Sequence, residues 1–155
     1  MPVATHGDLS FTLLSSYLDE LSSDDGVTKL DLAGVVGTEF ASSPHWRTTG
    51  SVTFRGGDFT GFLQGRYVGG GTYNNTYAAN GVNDNSVEGQ FLLNMSAAYD
   101  LELSGHRVSV YGVVNNVLNQ DPPLDPGLFV YATSTNPMLY DVFGRSYTLG
   151  LRYKF

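Results

Sequence analysis

Hydrophobic and polar residues take turns along six stretches of this chain, and the repeat in each is two residues rather than the 3.6 of a helix. Residues 8–21 (DLSFTLLSSYLDEL) set Leu9, Phe11, Leu13 and Tyr17 against Ser10, Thr12 and Ser16. Residues 46–55 (WRTTGSVTFR) set Trp46, Thr48, Val52 and Phe54 against Arg47, Thr49, Ser51, Thr53 and Arg55. In residues 59–69, Phe59, Leu63 and Tyr67 oppose Thr60, Gln64 and Arg66. The longest run, residues 87–103, carries Val87, Phe91, Leu93, Met95, Ala97, Tyr99, Leu101 and Leu103 on one side and Glu88, Gln90, Asn94, Ser96, Asp100 and Glu102 on the other. Residues 106–118 alternate through Val108, Val110 and Val114 and then break at Asn115 and Asn116, which predicts a bulge or the strand's end. Residues 145–155 (RSYTLGLRYKF) place Tyr147, Leu149, Leu151, Tyr153 and Phe155 opposite Ser146, Thr148, Gly150, Arg152 and Lys154. Successive strand side chains point to opposite faces, so the pattern predicts six amphipathic β-strands.

The connections alternate as well. Residues 56–58 (GGD) and 104–105 (SG) have the composition of tight hairpin turns, whereas 22–45, 70–86 and 119–144 are long and rich in Gly, Asn, Asp, Ser and Pro. Short turns on one side and long loops on the other match the periplasmic turns and extracellular loops of an antiparallel up-and-down transmembrane β-barrel. A secreted or surface β-sandwich binding module would also alternate, with its apolar faces packed on each other. Strand length favours the barrel. About 11 residues at about 3.3 Å each, tilted by about 45°, cover an apolar band of roughly 25 Å, and sandwich strands centre near five or six residues. Tyr153 and Phe155 at one end of the last strand, with Tyr140, Phe143 and Tyr147 about the other, read as two interfacial girdles.

Composition sharpens this all-β expectation. The 155 residues include 19 Gly, 10 Tyr and 9 Phe and no Cys, so strand and turn formers abound and a disulfide framework is excluded. Eight Lys plus Arg against 15 Asp plus Glu leave a net charge of −7, which argues against nucleic acid as a partner. No apolar run approaches the roughly 18 residues of a transmembrane helix. The opening MPVATHGDLS has neither basic nor apolar segments of a secretory signal. Six strands are too few for a closed membrane barrel, whose smallest members have about eight. The chain is therefore expected to be the C-terminal piece of something larger.

Candidate chemistry is sparse. Arg47, Arg55, Arg66, Glu88, Gln90, Asp100, Glu102, Arg107 and Arg152 fall on polar faces, where cross-strand pairing in a water-filled lumen is the commoner use and ligand contact the rarer one. Glu20, Asp24, Asp25 and Asp31 gather in one loop and Asn119, Asp121 and Asp125 in another, without the spacing of a calcium loop. His6, His45 and His106 are scattered, and no nucleophile, phosphate-cradle or carboxylate-pair arrangement is present, so neither catalysis, cofactor nor metal is expected. Tyr73, Tyr77, Phe129, Tyr131 and Tyr140 lie in the long loops, where they could meet an arriving ligand or pack the loops on one another.

The stretches SPHWRTTGSVTFRGGDFTGFLQGRYVGGGTY, FLLNMSAAYDL, VSVYGVVNNVLNQDPP and LYDVFGRSYTLGLRYKF, in this order and spacing, resemble the C-terminal part of the barrel of TonB-dependent outer-membrane receptors. The resemblance implies a barrel of about 22 strands of which these are the last six. It also implies a plug domain, a TonB-contacting segment and a signal peptide upstream. Such receptors sit in the bacterial outer membrane and take up scarce ligands such as iron chelates, cobalamin or oligosaccharides. The ending TLGLRYKF resembles the recognition signal of outer-membrane barrels, with Thr148, Gly150, Tyr153 and Phe155 at its positions. Through it the terminal strand would be read by the barrel assembly machinery by edge pairing. Membrane lipid, the plug and the remaining strands complete the implied partners.

Overall fold

Each of the six alternating stretches forms a strand in the computed structural model, which describes residues 7–37, 43–77, 81–124 and 134–154. In chain order the strands are β1 (Asp8–Tyr17), β2 (Ser22–Asp24), β3 (Lys29–Asp31), β4 (Trp46–Gly56), β5 (Phe59–Val68), β6 (Gly71–Thr72), β7 (Ser86–Val87), β8 (Gln90–Leu103), β9 (His106–Asn115) and β10 (Ser146–Lys154). There is no helix among the described residues. The six long strands make one antiparallel sheet in the order β1-β4-β5-β8-β9-β10, each beside its predecessor, while β2–β3 and β6–β7 are small ribbons within the long loops.

Boundaries depart from expectation where a partner runs out. β1 stops at Tyr17, four residues before its alternation ends at Leu21, because β4 begins at Trp46 and can pair no further. The Leu18 amide instead donates to the His45 carbonyl at 2.8 Å as the chain turns away. Val87 leaves the sheet for the β6–β7 ribbon. β9 ends where the asparagines predicted it would: Asn116 takes a positive φ of 50°, which asparagine tolerates, and is almost fully buried.

Register carries the apolar members of each alternating stretch onto one face. Leu9, Phe11, Leu13 and Tyr17 stand opposite Phe54, Val52, Gly50 and Trp46. That face continues through Phe59, Leu63 and Tyr67 to Tyr99, Met95 and Phe91, and on to Val108, Val110 and Val114, paired with Tyr153, Leu151 and Tyr147. Among the described residues nothing covers it: Leu149 is 87% exposed, Leu13 74% and Phe11 70%. The sandwich alternative is thereby overturned, since it needs a second layer sealing these side chains. The apolar side chains of this face touch their neighbours along the sheet but are sealed by no second layer among the described residues.

The extensive burial among the described residues lies at the end of the sheet that carries the long loops. Val36, Val68, Tyr73, Val87, Leu139 and Tyr140 form one cluster. At the opposite end the connections are two residues long. Gly57 opens the β4–β5 turn with φ 56°, the conformation a type II′ turn requires at its first central position. Ser104 (φ 53°) and Gly105 (φ 82°) are both left-handed, which is the type I′ arrangement. Gly105→Val should therefore cost about 1–2 kcal/mol, read as a lowered urea midpoint of the folded barrel. An unchanged midpoint would show that the turn relaxes to another type.

Candidate functional site

Two faces and one loop cluster carry what chemistry the chain offers. On the apolar face the aromatics sort into two rows. Near the long loops stand Tyr17 and Trp46, with ring centroids 4.7 Å apart, and then Tyr67 paired with Phe91. Near the short turns stand Phe54 and Phe59, 6.2 Å apart, Tyr99 beside Phe59, and Tyr153, 5.4 Å from the ring of His106. Rings at both ends of an aliphatic band are the arrangement of membrane-interface belts. Of the terminal-strand girdle, Tyr147 and Tyr153 are exposed on this face, whereas Tyr140 is buried in the loop cluster instead.

The opposite face is polar. Glu102 pairs in register with Arg107, and Asp100 with Ser109, whose hydroxyl donates to the carboxylate. Toward the long loops, the chain after residue 133 folds back over this face. The Arg66 guanidinium donates from Nη2 to the Leu139 carbonyl at 3.1 Å, and the Asp141 amide donates to Gln90 Oε1 at 3.3 Å. Two open cavities of about 330 and 310 Å3 flank the returning segment, and Arg66, Met138 and Leu139 line both.

Three loops meet above the sheet. Asn136 Nδ2 donates to the Val36 carbonyl at 2.9 Å across 100 residues of sequence. Val36 donates its own amide to Thr72 O, and Thr72 returns a bond to Gly34 O, each at 2.9 Å. A Cβ on Gly71 would lie 2.0 Å from that same Gly34 oxygen, so only glycine permits this approach. Tyr73 and Tyr140 are 5% and 2% exposed and pack the loops together. Tyr77 stacks obliquely on Tyr73 at 5.8 Å and keeps an exposed edge. Phe129 and Tyr131 lie outside the described residues, as do Phe155 and Asp125. Val35, Val36 and Asn136 were not singled out by the sequence, although the pair of valines between Gly34 and Gly37 was a signal of a buried loop segment.

The acidic residues of the first long loop serve as acceptors for its own turns. Asp31 Oδ1 accepts from the Leu21 and Ala33 amides at 2.9 and 3.0 Å, which holds its carboxyl below the ordinary carboxylate range. Asp25 is lowered by the amides of Thr28 and Val27, at 2.7 and 2.9 Å. No cluster with the geometry of a metal site occurs among the described residues. Because both carboxyls are depressed in the folded chain, their contribution is whole above the unfolded value near ~4 and is lost as pH falls through the lower folded values. Amide exchange, corrected for intrinsic rate, should show the Thr28 and Leu21 amides losing protection over that acid range. Asp25→Ala should remove the pH dependence at Thr28 alone.

In the terminal strand, Thr148 and Gly150 lie on the polar face and Tyr153 on the apolar one. Gly150 pairs in register with Tyr111, whose ring lies across it: a Cβ there would come within 2.2 Å of the ring carbon Cζ. The glycine thus makes room for an aromatic from the neighbouring strand. Gly150→Ala should destabilise the barrel by about 1–3 kcal/mol through overpacking, and adding Tyr111→Ala should relieve most of that cost. A double-mutant cycle in urea measures it; additive losses would show that the two residues do not interact.

Among known families, the model described as TonB dependent receptor-like, beta-barrel matches residues 4–117, well over half of the chain. The match runs through β1 to β9 and ends two residues beyond it; β10 extends the same sheet in register. No curated protein and no solved structure matches the chain.

Proposed function

The chain belongs to the TonB-dependent receptor β-barrel family, and from this membership we propose that it forms a wall section of an outer-membrane receptor that imports a scarce ligand. Members of the family are outer-membrane receptors and transporters rather than enzymes. The observation that carries the reading is the single sheet with one predominantly apolar, exposed face and a mainly polar opposite face. Its outer strands, β1 and β10, do not pair with each other. Unpaired main-chain groups cannot remain in hydrocarbon, so further strands must flank both edges, and a plug and a TonB-contacting segment belong with them. The ligand is of the iron chelate, cobalamin or oligosaccharide class. The three-loop cluster and the cavities beside Arg66 support a ligand-meeting surface at the long-loop end, with Tyr77 as its exposed aromatic and Phe129 and Tyr131 as further candidates. Thr148, Gly150, Tyr153 and Phe155 serve as the signal by which the assembly machinery engages the terminal strand.

The test is a pair of substitutions in the complete receptor, unfolded by urea from phospholipid bilayers. Leu13→Arg on the apolar face should cost about 2–4 kcal/mol, and its neighbour Thr12→Arg on the polar face close to nothing. Equal costs, or a cooperative melt of these residues as a soluble protein in water, would refute the proposal.

A further inference from the structure

Within the apolar face one region is hollow. Gly61, Ala97 and Gly112 are register partners across β5, β8 and β9 and make a floor of minimal side chains. Phe54 ends this row on β4, and Leu149 ends it on β10. On the long-loop side the floor is bounded by Leu63, Met95 and Val114, and on the short-turn side by Phe59, whose ring edge reaches to within 3.2 Å of where a Gly61 Cβ would be. The resulting trough encloses about 710 Å3 with almost wholly apolar walls.

We propose that this trough holds one acyl chain of a phospholipid from the leaflet on the short-turn side, as an ordered site distinct from the fluid lipid around the barrel. The inference rests on the reading that the apolar face meets the bilayer, and the trough is continuous with that surface. Its dimensions select the occupant. Four strand spacings of about 4.8 Å separate Phe54 from Leu149, roughly 19 Å; with strands tilted by about 45° this row spans roughly 14 Å along the bilayer normal, close to the about 15 Å of one leaflet of hydrocarbon. The Cα rows flanking the floor lie about 13 Å apart, and the side chains standing on them narrow the opening below the 10–12 Å that an α-helix needs. A transmembrane helix is therefore too wide and a single hydrocarbon chain is not. Direction follows from the strand: Gly61 is the third residue of β5, next to the Gly57–Asp58 turn, so the trough opens near the short-turn interface at Phe54 and Phe59. It ends against Tyr147 and Leu149, farther from that interface. The walls offer only contact and shape, which suits a saturated or singly unsaturated tail.

The test uses the complete receptor in phosphatidylethanolamine vesicles doped with a phosphatidylcholine carrying a diazirine near the end of one acyl chain. After illumination, peptide mapping should find adducts concentrated on residues 93–97, 112–114 and 147–149, toward the deep end of the trough, several-fold above those on the equally apolar 9–17. Ala97→Leu, which fills the floor without adding polarity, should reduce trough labelling to the level of residues 9–17, and Leu13→Phe should leave it unchanged. Even labelling over the whole apolar face, or trough labelling that survives Ala97→Leu, would overturn the site while leaving the membrane assignment intact. A shielded trough with labelled 9–17, in a receptor that runs as a dimer, would assign it to a second copy and overturn the lipid site. No labelling anywhere on the apolar face would refute the membrane assignment itself. Should Ala97→Leu fail to assemble, the contrast between trough and residues 9–17 in the wild-type receptor decides the question.

Discussion

A backbone that enters hydrocarbon has to satisfy its own hydrogen bonds, and in a strand it does so only through its neighbours. This constraint shapes the rest of the chain. It demands long, uninterrupted pairing, which β1, β4, β5, β8, β9 and β10 supply without a crossover. It also demands that side chains on the outer face gain nothing from one another that they would not gain from lipid. The exposure of Leu13, Phe11 and Leu149 is then the expected condition of a membrane wall. Stability comes from the ladder and from the loops, not from a core beneath the sheet.

Burial accordingly moves to where water returns. Above the sheet the loops cannot rely on lipid to cover apolar groups, and there Val36, Tyr73, Val87, Leu139 and Tyr140 exclude solvent together. The returning segment that supplies Leu139 and Tyr140 is tied to the polar face through Arg66 and Gln90, so the loop cluster and the wall are one mechanical unit. The short turns, by contrast, contain nothing but the conformational minimum needed to reverse direction.

The sheet was legible in the sequence because period two and the hairpin chemistry of Ser104–Gly105 are local signals. Each main strand lies where its alternation lies, and the errors at Leu18–Leu21 and Val87 arise where alternation outlasts the partner strand. The loops were not legible for the opposite reason. Arg66 reaches a carbonyl 73 positions away and Asn136 one 100 positions away, and no pattern in the intervening residues encodes such a meeting. Tyr73 and Tyr140 illustrate the ambiguity: an aromatic in a loop reads alike whether it awaits a ligand or packs on another loop, and here burial decides for packing. The small residues Gly61, Ala97 and Gly112 were visible individually, but only register places them side by side.

The shared loop cluster has a consequence for how such a receptor diversifies. Val36, Tyr73 and Leu139 each occupy space framed by the other two loops. Change at these roots has to be matched by change elsewhere, so the three loops should drift as a coordinated set. Freedom to mutate alone belongs to tips such as Val27, 93% exposed in the turn between β2 and β3.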